Sequence, residues 1–331
     1  MGYQGIILGY AKEVVLKEPL IDVKYVVQDK YLPCHYDVVK DWKNGTLDTL
    51  RLVGPGDFLA VKLTGAGPIS VDAMKARQPM PKAVAEAMDE ICRETRKQGS
   101  RVWIDAEQQA LQPTLDDWAI DLMRKHNKNG QNTVYNTIQA YLKGAKANVS
   151  RHIRLAAEEG WTVAIKLVRG AYIDHECRSL IHTTKEQTDE SYDTIADYFI
   201  SQELPHECEG LSFPSSALFL ATHNASSAER ALSTYYERIN ARLPTTGVLE
   251  SGQIMGMADE LSCALLADRD RRVANVGDTR APRIFKCLTW GTVSECLGYL
   301  HRRAIENRDA VERTQHMVDA LRKELYRRVF R

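Results

Sequence analysis

Short apolar segments alternate with longer amphipathic stretches along most of the chain. The segments are rich in β-branched and aromatic residues and mostly end in polar ones, which is typical of buried strands. The predicted strands cover residues 58–64, 101–105, 133–139, 162–168, 216–221, 248–254, 272–276 and 283–288. Apolar residues at helical spacing predict helices near residues 81–98, 115–127, 144–159, 188–201, 226–241 and 257–267. A helix is missing only between the last two strands, where the gap is too short for one.

Eight strands that alternate with helices favour an α/β fold of the (β/α)8, or TIM-barrel, type, because parallel strands with helical crossovers close at eight. We predict that the barrel covers residues 58–310 and that a C-terminal helix over 311–331 packs on it. Residues 1–57 do not fit the repeat and are predicted to form an N-terminal arm. Within this arm, residues 10–16 are predicted to be helical and residues 41–45 to form a turn or a helix end.

Composition excludes several classes of protein. The 44 Lys and Arg residues balance 44 Asp and Glu residues, so no net field favours nucleic acid as a partner. Seven scattered cysteines without a C-x-x-C pair indicate reduced thiols and give no metal motif. No apolar run reaches about 18 residues, the length that spans a bilayer. The first residues lack secretory and transit signals, so the protein acts where it is made or this sequence lacks a targeting segment.

Polar residues follow the predicted strands, at the end where working residues of such barrels lie. In chain order these are Lys62, Asp105, Gln139, Lys166, Arg169, Tyr172, Thr222, His223, Asn224, Gln253 and Cys287. For any one of them an ordinary strand-to-loop transition is an adequate explanation. That explanation does not predict lysines within apolar segments, as at Lys62 and Lys166, because a buried lysine must be paired or must change its pKa.

One helical face near the C-terminus combines two guanidinium groups, a carboxylate and a phenol. Tyr299, Arg302, Arg303 and Glu306 share this face by their spacing. A guanidinium holds a carboxylate through two parallel hydrogen bonds, and a carboxylate holds an amine, so the face suits a small zwitterion. The alternative is a solvated helix face with Arg–Glu pairs.

Motifs for other chemistry are missing from the sequence. It contains no G-x-S-x-G, no H-E-x-x-H and no P-loop, and residues 65–68 (GAGP) are too short for a dinucleotide fingerprint. A site for a bulky anionic cofactor and a small amino acid fits the strand ends better than a hydrolytic triad. Two alternatives stay open: a lyase or aldolase that forms a Schiff base on Lys62 or Lys166, and a non-catalytic relative that binds a ligand or a partner.

Six segments in order resemble the proline dehydrogenase family, in wording closest to its eukaryotic, especially fungal, mitochondrial branch. They are WIDAE at 103–107, NTIQAYL at 136–142, KLVRGAY at 166–172, ATHN at 221–224, GQIMGM at 252–257 and YLHRRAIEN at 299–307. The resemblance implies a distorted barrel that binds FAD non-covalently at its C-terminal face, with the last helix over the site. It implies substrate-site roles for Lys62, Asp105, Leu167, Tyr172, Cys287, Tyr299, Arg302, Arg303 and Glu306. It implies flavin contacts for Gln139, Lys166, Arg169, Gly170, Ala171, Thr222, His223, Asn224 and Gln253.

The resemblance also implies an activity. L-Proline would be oxidised to Δ1-pyrroline-5-carboxylate by hydride transfer to flavin N5, with a quinone as the next electron acceptor. The location implied is the mitochondrion, at the inner membrane or on its matrix side, although a full-length chain with this start would be cytoplasmic. The basic helix from about residue 310 to 331 is a candidate for peripheral membrane contact, with a solvated helix as the alternative. The sequence does not indicate the oligomeric state.

Cys287 departs from the family pattern. It stands where bacterial members and the main human enzyme carry a tyrosine over the substrate ring. Cysteine is smaller and a poorer hydrogen-bond donor, so it leaves room for a ring substituent. We therefore consider the hypothesis that 4-hydroxyproline, or another substituted pyrrolidine, is accepted as well as proline or better. The alternative is a local repacking that leaves proline preferred.

Overall fold

Eight parallel strands close into a barrel in the computed structural model, which describes residues 2–12, 14, 31–173, 176–276, 280–306 and 315–330. The strands are β1 (Gly5–Tyr10), β2 (Phe58–Val61), β3 (Arg101–Ile104), β4 (Val134–Gln139), β5 (Val163–Val168), β6 (Ser216–Ala221), β7 (Val248–Ile254) and β8 (Arg283–Trp290). Each strand pairs with its sequence neighbours, and β1 pairs with β8 to complete the ring. The predicted (β/α)8 fold is therefore confirmed.

Helices lie between the strands and cover the outside of the barrel. They are α1 (Pro33–Leu52), α2 (Pro68–Lys75), α3 (Lys82–Gln98), α4 (Gln112–His126), α5 (Ala145–Glu159), α6 (Lys185–Ser201), α7 (Ala225–Asn240), α8 (Asp259–Val276), α9 (Val293–Glu306) and α10 (Gln315–Val329). The predicted helices from 81–98 to 226–241 agree with α3 to α7 within a few residues. The C-terminal helix is present as α10, which contacts α8.

The barrel is filled with aromatic side chains. Phe58, Trp103, Phe219 and Phe285 meet at its centre, with ring centroids 4.7 Å apart for Phe58 and Trp103 and 4.6 Å apart for Trp103 and Phe219. Alternate strand residues, such as Leu59, face outward into a second apolar cluster shared with the helices. This alternation places every second residue at a strand end toward the barrel axis.

The first strand of the barrel lies inside the predicted N-terminal arm, and the strand predicted at 272–276 is wrong. Residues 5–10 form β1, whereas residues 272–276 are the last residues of α8. The segment at 272–276 has apolar residues at 273, 274 and 276, but Val273 is exposed and none of the described strands pairs with it. The number of strands was correct because these two errors cancel.

The other predictions for the arm also need correction. Tyr10 ends β1 instead of beginning a helix, and residues 13, 15 and 16 of that predicted helix lie outside the described part. Residues 41–45 lie in the middle of α1. Gly45 is a poor helix former, but an added Cβ would approach Tyr10 Cε1 to 2.5 Å, so packing against β1 requires glycine there.

Ile7 tests how much the first strand contributes to barrel closure. Its side chain is fully buried in the interior aromatic cluster. We expect Ile7→Ala to lower the free energy of unfolding by about 2–5 kcal/mol through lost burial and a cavity. Urea unfolding measures this, and the half-exposed Leu243→Ala should change the same quantity by less than about 0.5 kcal/mol. A cost below about 1 kcal/mol for Ile7→Ala would contradict the packed interior.

Candidate active site

Two lysines share one carboxylate at the C-terminal end of the barrel. Lys62 follows β2, Asp105 follows β3 and Lys166 lies near the end of β5. Lys62 Nζ donates to Asp105 Oδ2 at 2.9 Å, and Lys166 Nζ donates to Asp105 Oδ1 at 2.6 Å. The carboxylate is 16% exposed and each lysine side chain 13%, so the three charges are largely removed from water.

The charge balance of this group fixes the ionisation of Asp105. Burial alone raises the pKa of a carboxyl group, but the charges of Lys166 and Lys62 and their hydrogen bonds outweigh it and hold the pKa of Asp105 well below its usual range. Lys166 Nζ also lies 4.3 Å from the centroid of the Trp103 ring, which stabilises the cation from the barrel side. The centre carries one negative and two positive charges and so favours an anionic ligand.

The loop after β5 is tied to the end of β4. Gln139 Oε1 accepts a hydrogen bond from the backbone N–H of Ala171 at 3.1 Å, and its Nε2 donates to the carbonyl of Glu107 at 3.2 Å. Gly170 packs on the ring of Tyr141, where an added Cβ would come within 2.4 Å of Cδ2. Tyr172 follows and is buried. These contacts hold the first residues of the loop, 170–172, against the strand ends.

Arg169 has a buried donor without a partner. Its Nη2 forms an ion pair with Asp189, whereas its Nη1 is buried and receives no hydrogen-bond partner from the residues described. Asp189 Oδ1 also accepts from Asn224 Nδ2 at 3.3 Å, and Asn224 caps the N-terminus of α7 through Ser227. A buried guanidinium N–H without an acceptor is costly, so this edge of the site is prepared for an anion.

The ends of β6 and β7 carry neutral polar groups. The backbone N–H of Asn224 donates to Thr222 Oγ1 at 3.0 Å, and Gln253 Oε1 accepts from Ser262 Oγ at 2.7 Å. His223 Nε2 accepts from the backbone N–H of Ile254 at 3.2 Å. His223 is exposed at the opening, but desolvation by the groups packed around its ring, together with the charges of Lys286 and Arg303, lowers its pKa to about 4. His223 is therefore neutral at physiological pH and carries its proton on Nδ1.

Helix α9 brings its own groups to the strand ends. The Arg303 guanidinium lies 5.5 Å from the ring centroid of Tyr299. Burial and the neighbouring thiol of Cys287 raise the pKa of Tyr299. Cys287 lies in β8 and is half-buried. Burial and the charge of Asp105 raise the pKa of its thiol against the opposing effect of Lys166. Arg302 and Glu306 belong to α9, but their side chains lie outside the described part.

We refer to Lys62, Asp105, Lys166, Cys287, Tyr299 and Arg303 as the strand-end site. The structure places the predicted flavin-contact residues around it, on the ends of β4 to β7 and the loops that follow. Leu167 is different, because it faces the opposite side of β5 from Lys166 and is fully buried in the cluster between strands and helices. Leu167 therefore does not face the strand-end site, and its predicted contact with the substrate stays a prediction.

Two residues with polar roles, Asp189 and Lys286, were not predicted. Asp189 joins Arg169 to Asn224. Lys286 is 1% exposed and donates to Asp259 Oδ1 at 2.7 Å and to the carbonyl of Met257 at 3.0 Å. The signal that pointed to Lys62, a lysine within an apolar segment, would also have found Lys286. Asp189 has no such signal, since its helix reads as an ordinary amphipathic one.

The described residues contain no group of three or more His, Cys, Asp or Glu side chains that could hold a metal ion. They also contain no helix long and apolar enough to cross a membrane.

Comparisons with known proteins place the chain in a family. Residues 2–316 match the proline dehydrogenase family. The probable mitochondrial proline dehydrogenase of Schizosaccharomyces pombe is 33% identical over 259 residues, which are 74% of this chain and 50% of that protein. Human mitochondrial proline dehydrogenase 1 is 31% identical over 252 residues, 74% of this chain and 38% of that protein. Human hydroxyproline dehydrogenase is 29% identical over 276 residues, 82% of this chain and 57% of that protein.

Solved structures agree with the fold. Proline utilization A from Bdellovibrio bacteriovorus, inactivated by N-propargylglycine, superposes with a TM-score of 0.66 at 18% identity and covers 92% of this chain and 30% of that one. Fold and sequence together define the class as a (β/α)8 barrel of the proline dehydrogenase type. The chain belongs to the proline dehydrogenase family, and it spans about half or less of the length of its first curated relatives.

Asp105→Asn tests the shared carboxylate. At pH 7 we expect a loss of about 3–5 kcal/mol in the free energy of unfolding, because two partly buried cations lose their counter-charge. A carboxyl group with a lowered folded-state pKa stabilises the fold above its unfolded pKa, about 3.9, and this contribution is lost as the pH falls toward the folded pKa. The difference in the free energy of unfolding between wild type and Asp105→Asn should therefore become smaller below about pH 4.

The measurement is urea unfolding at several pH values between 3 and 7. Asp121→Asn is the matched control, since Asp121 forms an exposed ion pair with Arg124 on α4. It should change the free energy of unfolding by less than about 0.5 kcal/mol at each pH. If the free energy of unfolding differed between wild type and Asp105→Asn by the same amount at every pH, the assignment of a negative charge to Asp105 would be refuted.

Proposed function

We propose that the protein oxidises L-proline to Δ1-pyrroline-5-carboxylate. Membership of the proline dehydrogenase family supports this, and the observation that carries it is the cationic strand-end site under α9, in which Lys62 and Lys166 share Asp105. Because these groups lie at the carboxyl ends of the strands, the site occupies the usual catalytic face of such barrels. Its excess of positive charge suits a substrate that bears a carboxylate.

The side chains have distinct roles in this proposal. Arg303, together with Arg302 on the same helix, binds the substrate carboxylate through its N–H groups, while Glu306 and Tyr299 stand beside the ring. Lys62, Asp105 and Lys166 together provide a net positive charge beneath the ring of the substrate. Asp105 stays ionised because both lysines bond to it, so its role is to position the lysines and not to exchange protons. Close orientation of the ring, and not an acid–base pair, is the requirement for hydride loss from the carbon next to nitrogen.

We propose FAD as the cofactor. The family consists of flavoenzymes in general. The donor set fits such a group: Arg169 offers a buried Nη1 without an acceptor, and Lys166 adds a second cation. Gln139, Thr222, His223, Asn224 and Gln253, with the backbone of Gly170 and Ala171, complete the polar rim. When bound, the flavin supplies the hydride acceptor.

The cellular setting that we propose is mitochondrial, at the inner membrane or on its matrix side, with a quinone as the electron acceptor. Support comes from relatives whose names include that compartment. Helix α10 carries exposed Leu321, Leu325 and Val329 beside several arginines, which supports a peripheral contact with a membrane surface.

The alternative of a Schiff-base lyase or aldolase fits the geometry less well. Formation of a Schiff base needs a neutral amine. Lys62 and Lys166 both donate a hydrogen bond to ionised Asp105, so the nitrogen atom of each is engaged in an ion pair. Borohydride trapping with substrate would reveal a covalent adduct under that alternative and none under ours.

A substituted pyrrolidine is the second candidate substrate. Cys287 is half-buried next to the charged centre, and its thiol fills less space than a phenol. A human relative named hydroxyproline dehydrogenase matches 82% of this chain, at lower identity than the proline dehydrogenases of Schizosaccharomyces pombe and human. We therefore place 4-hydroxyproline second to proline.

Visible absorbance spectroscopy tests the reaction. After FAD is supplied, we expect flavin bands that bleach when L-proline is added anaerobically, because substrate hydride reduces the cofactor. Steady-state rates then give kcat/KM for proline and 4-hydroxyproline. A preference for proline of ~100-fold, about 2.7 kcal/mol, would exclude the second candidate. A protein that stays colourless with FAD would overturn the proposal and favour a non-catalytic relative.

Arg169→Gln tests the proposed flavin contact. Because a charge-assisted hydrogen bond contributes about 1.5–3 kcal/mol, we expect the Kd for FAD, measured by quenching of flavin fluorescence, to rise about tenfold or more. Lys185→Gln is the matched control, since Lys185 also pairs with Asp189 at 2.5 Å but is 67% exposed. That variant should change the Kd less than about twofold. If the two substitutions changed the Kd for FAD equally, Arg169 would contribute only through its ion pair with Asp189.

A further inference from the structure

A cluster of polar side chains lies outside the barrel wall, between β4 and the helices α4 and α5. Its members are Gln112 and Asp116 on α4, Asn136 on β4, and Asn148 and His152 on α5. All except Asn148 are buried. Asn136 faces the helices, because its neighbour Tyr135 lies in the barrel interior. We call these five residues the Asp116 cluster, and none of them has a role in the proposed reaction.

Asp116 is the acceptor at the centre of the cluster. Its Oδ1 accepts from Gln112 Nε2 at 2.8 Å and from Asn136 Nδ2 at 2.9 Å, and its Oδ2 accepts from Asn148 Nδ2 at 2.8 Å. Burial raises the pKa of Asp116 to about 6 in spite of these donors, so the carboxyl group is ionised at neutral pH. An ionised carboxylate only accepts hydrogen bonds. It therefore directs Nε2 of Gln112 toward itself and leaves Oε1 of Gln112 for another donor.

His152 completes the pairing of the cluster. Burial lowers the pKa of His152 to about 4, so its ring is neutral, and its Nδ1 donates to the carbonyl of Asn148 at 2.8 Å. Its Nε2 then accepts from Asn136 Nδ2 at 3.0 Å. The side chain of Asn136 is thus bonded to both helices, which holds β4 against α4 and α5.

A chain of four hydrogen bonds runs from Asp116 to the loop after β5. The first is the bond from Gln112 to Asp116, and Gln112 Oε1 accepts the second from the backbone N–H of Glu107 at 2.9 Å. The carbonyl of Glu107 accepts from Gln139 Nε2 at 3.2 Å, and Gln139 Oε1 accepts from the backbone N–H of Ala171 at 3.1 Å. In every bond the donor is on the side of Ala171. Hydrogen bonds that are aligned in this way strengthen one another.

We propose that Asp116 is a positioning residue for the polar rim, because it anchors Gln139 and the backbone N–H of Ala171 through Gln112 and Glu107. This role rests on the proposed function, in which Gln139 and Ala171 belong to the rim that holds FAD. Asp116 itself contacts neither cofactor nor substrate. Its effect is preorganisation: a Gln139 side chain that is already held loses less conformational entropy when FAD binds.

Amide hydrogen exchange tests the anchor without any cofactor. In the full chain without added FAD, we expect Asp116→Asn to raise the exchange rate of the Ala171 amide about tenfold, because asparagine presents an N–H group where the carboxylate presents an acceptor. The Ile284 amide is the internal control, since it also donates to a glutamine oxygen, Oε1 of Gln4, at 2.9 Å. Its exchange rate should stay the same. An unchanged rate at Ala171, or an equal rise at both amides, would overturn the proposal.

Binding of FAD tests the effect on the rim. We expect Asp116→Asn to raise the Kd for FAD about tenfold and to leave kcat/KM for L-proline at saturating FAD within about twofold, because the strand-end site is not part of the chain of hydrogen bonds. A loss in kcat/KM as large as the rise in Kd would contradict a role confined to the rim. Asp117→Asn is the matched control, since Asp117 is the adjacent carboxylate, is 56% exposed and pairs with Arg151. It should change the Kd less than about twofold.

Two further variants follow the chain of hydrogen bonds. Gln112→Met interrupts it at the next link without removing the charge of Asp116, so it should also raise the Kd, and it serves as the test if Asp116→Asn does not fold. In a Gln139→Leu background, Asp116→Asn should no longer change the Kd. The same rise in both backgrounds would show that Asp116 does not act through Gln139 and would refute the proposal. If the wild type bound no FAD, the proposed function would fail, whereas the exchange rates would still decide whether Asp116 anchors Ala171.

Discussion

Closure of the barrel by β1 is the constraint on which the rest of the structure depends. This strand pairs with β2 on one side and β8 on the other, and without it the sheet would have two open edges. Since all eight strands are parallel, closure gathers their carboxyl ends around one opening. Lys62, Asp105 and Lys166 come from three strands that are not all adjacent, and they meet only because the ring is complete.

Both ends of the barrel handle buried charge in the same way. Asp105 bonds to Lys62 and Lys166 at the carboxyl ends of the strands, and Glu250 bonds to Arg101 and Arg283 at their amino ends. In each case one buried carboxylate pairs with two cations, which leaves the group with one net positive charge. Aromatic rings between the two groups exclude water and stabilise the cations by their faces, as Trp103 does for Lys166 and Phe58 for Arg101.

The helix that carries the arginines is held at its beginning by the N-terminal elements. Tyr10 at the end of β1 donates to Glu295 Oε1 at 3.0 Å, and Glu295 also accepts from the backbone N–H of Thr292 at 2.9 Å. Trp290 Nε1 donates to Thr49 Oγ1 of α1 at 2.7 Å. The segment that the sequence suggested was a peripheral arm is therefore part of the barrel and positions α9 over the strand ends.

The sequence by itself determined most strands, the helices around them and the candidate residues, because burial imposes apolar runs and places polar residues where those runs end. Six ordered segments also indicated the protein family. Tertiary structure decided what depends on non-local contacts: that residues 5–10 are the first strand, that Gly45 lies within a helix under Tyr10, and that Asp189 serves Arg169. It also decided the face of Leu167, because the side of a strand that points to the axis follows from register with its neighbours, which a single apolar run does not specify.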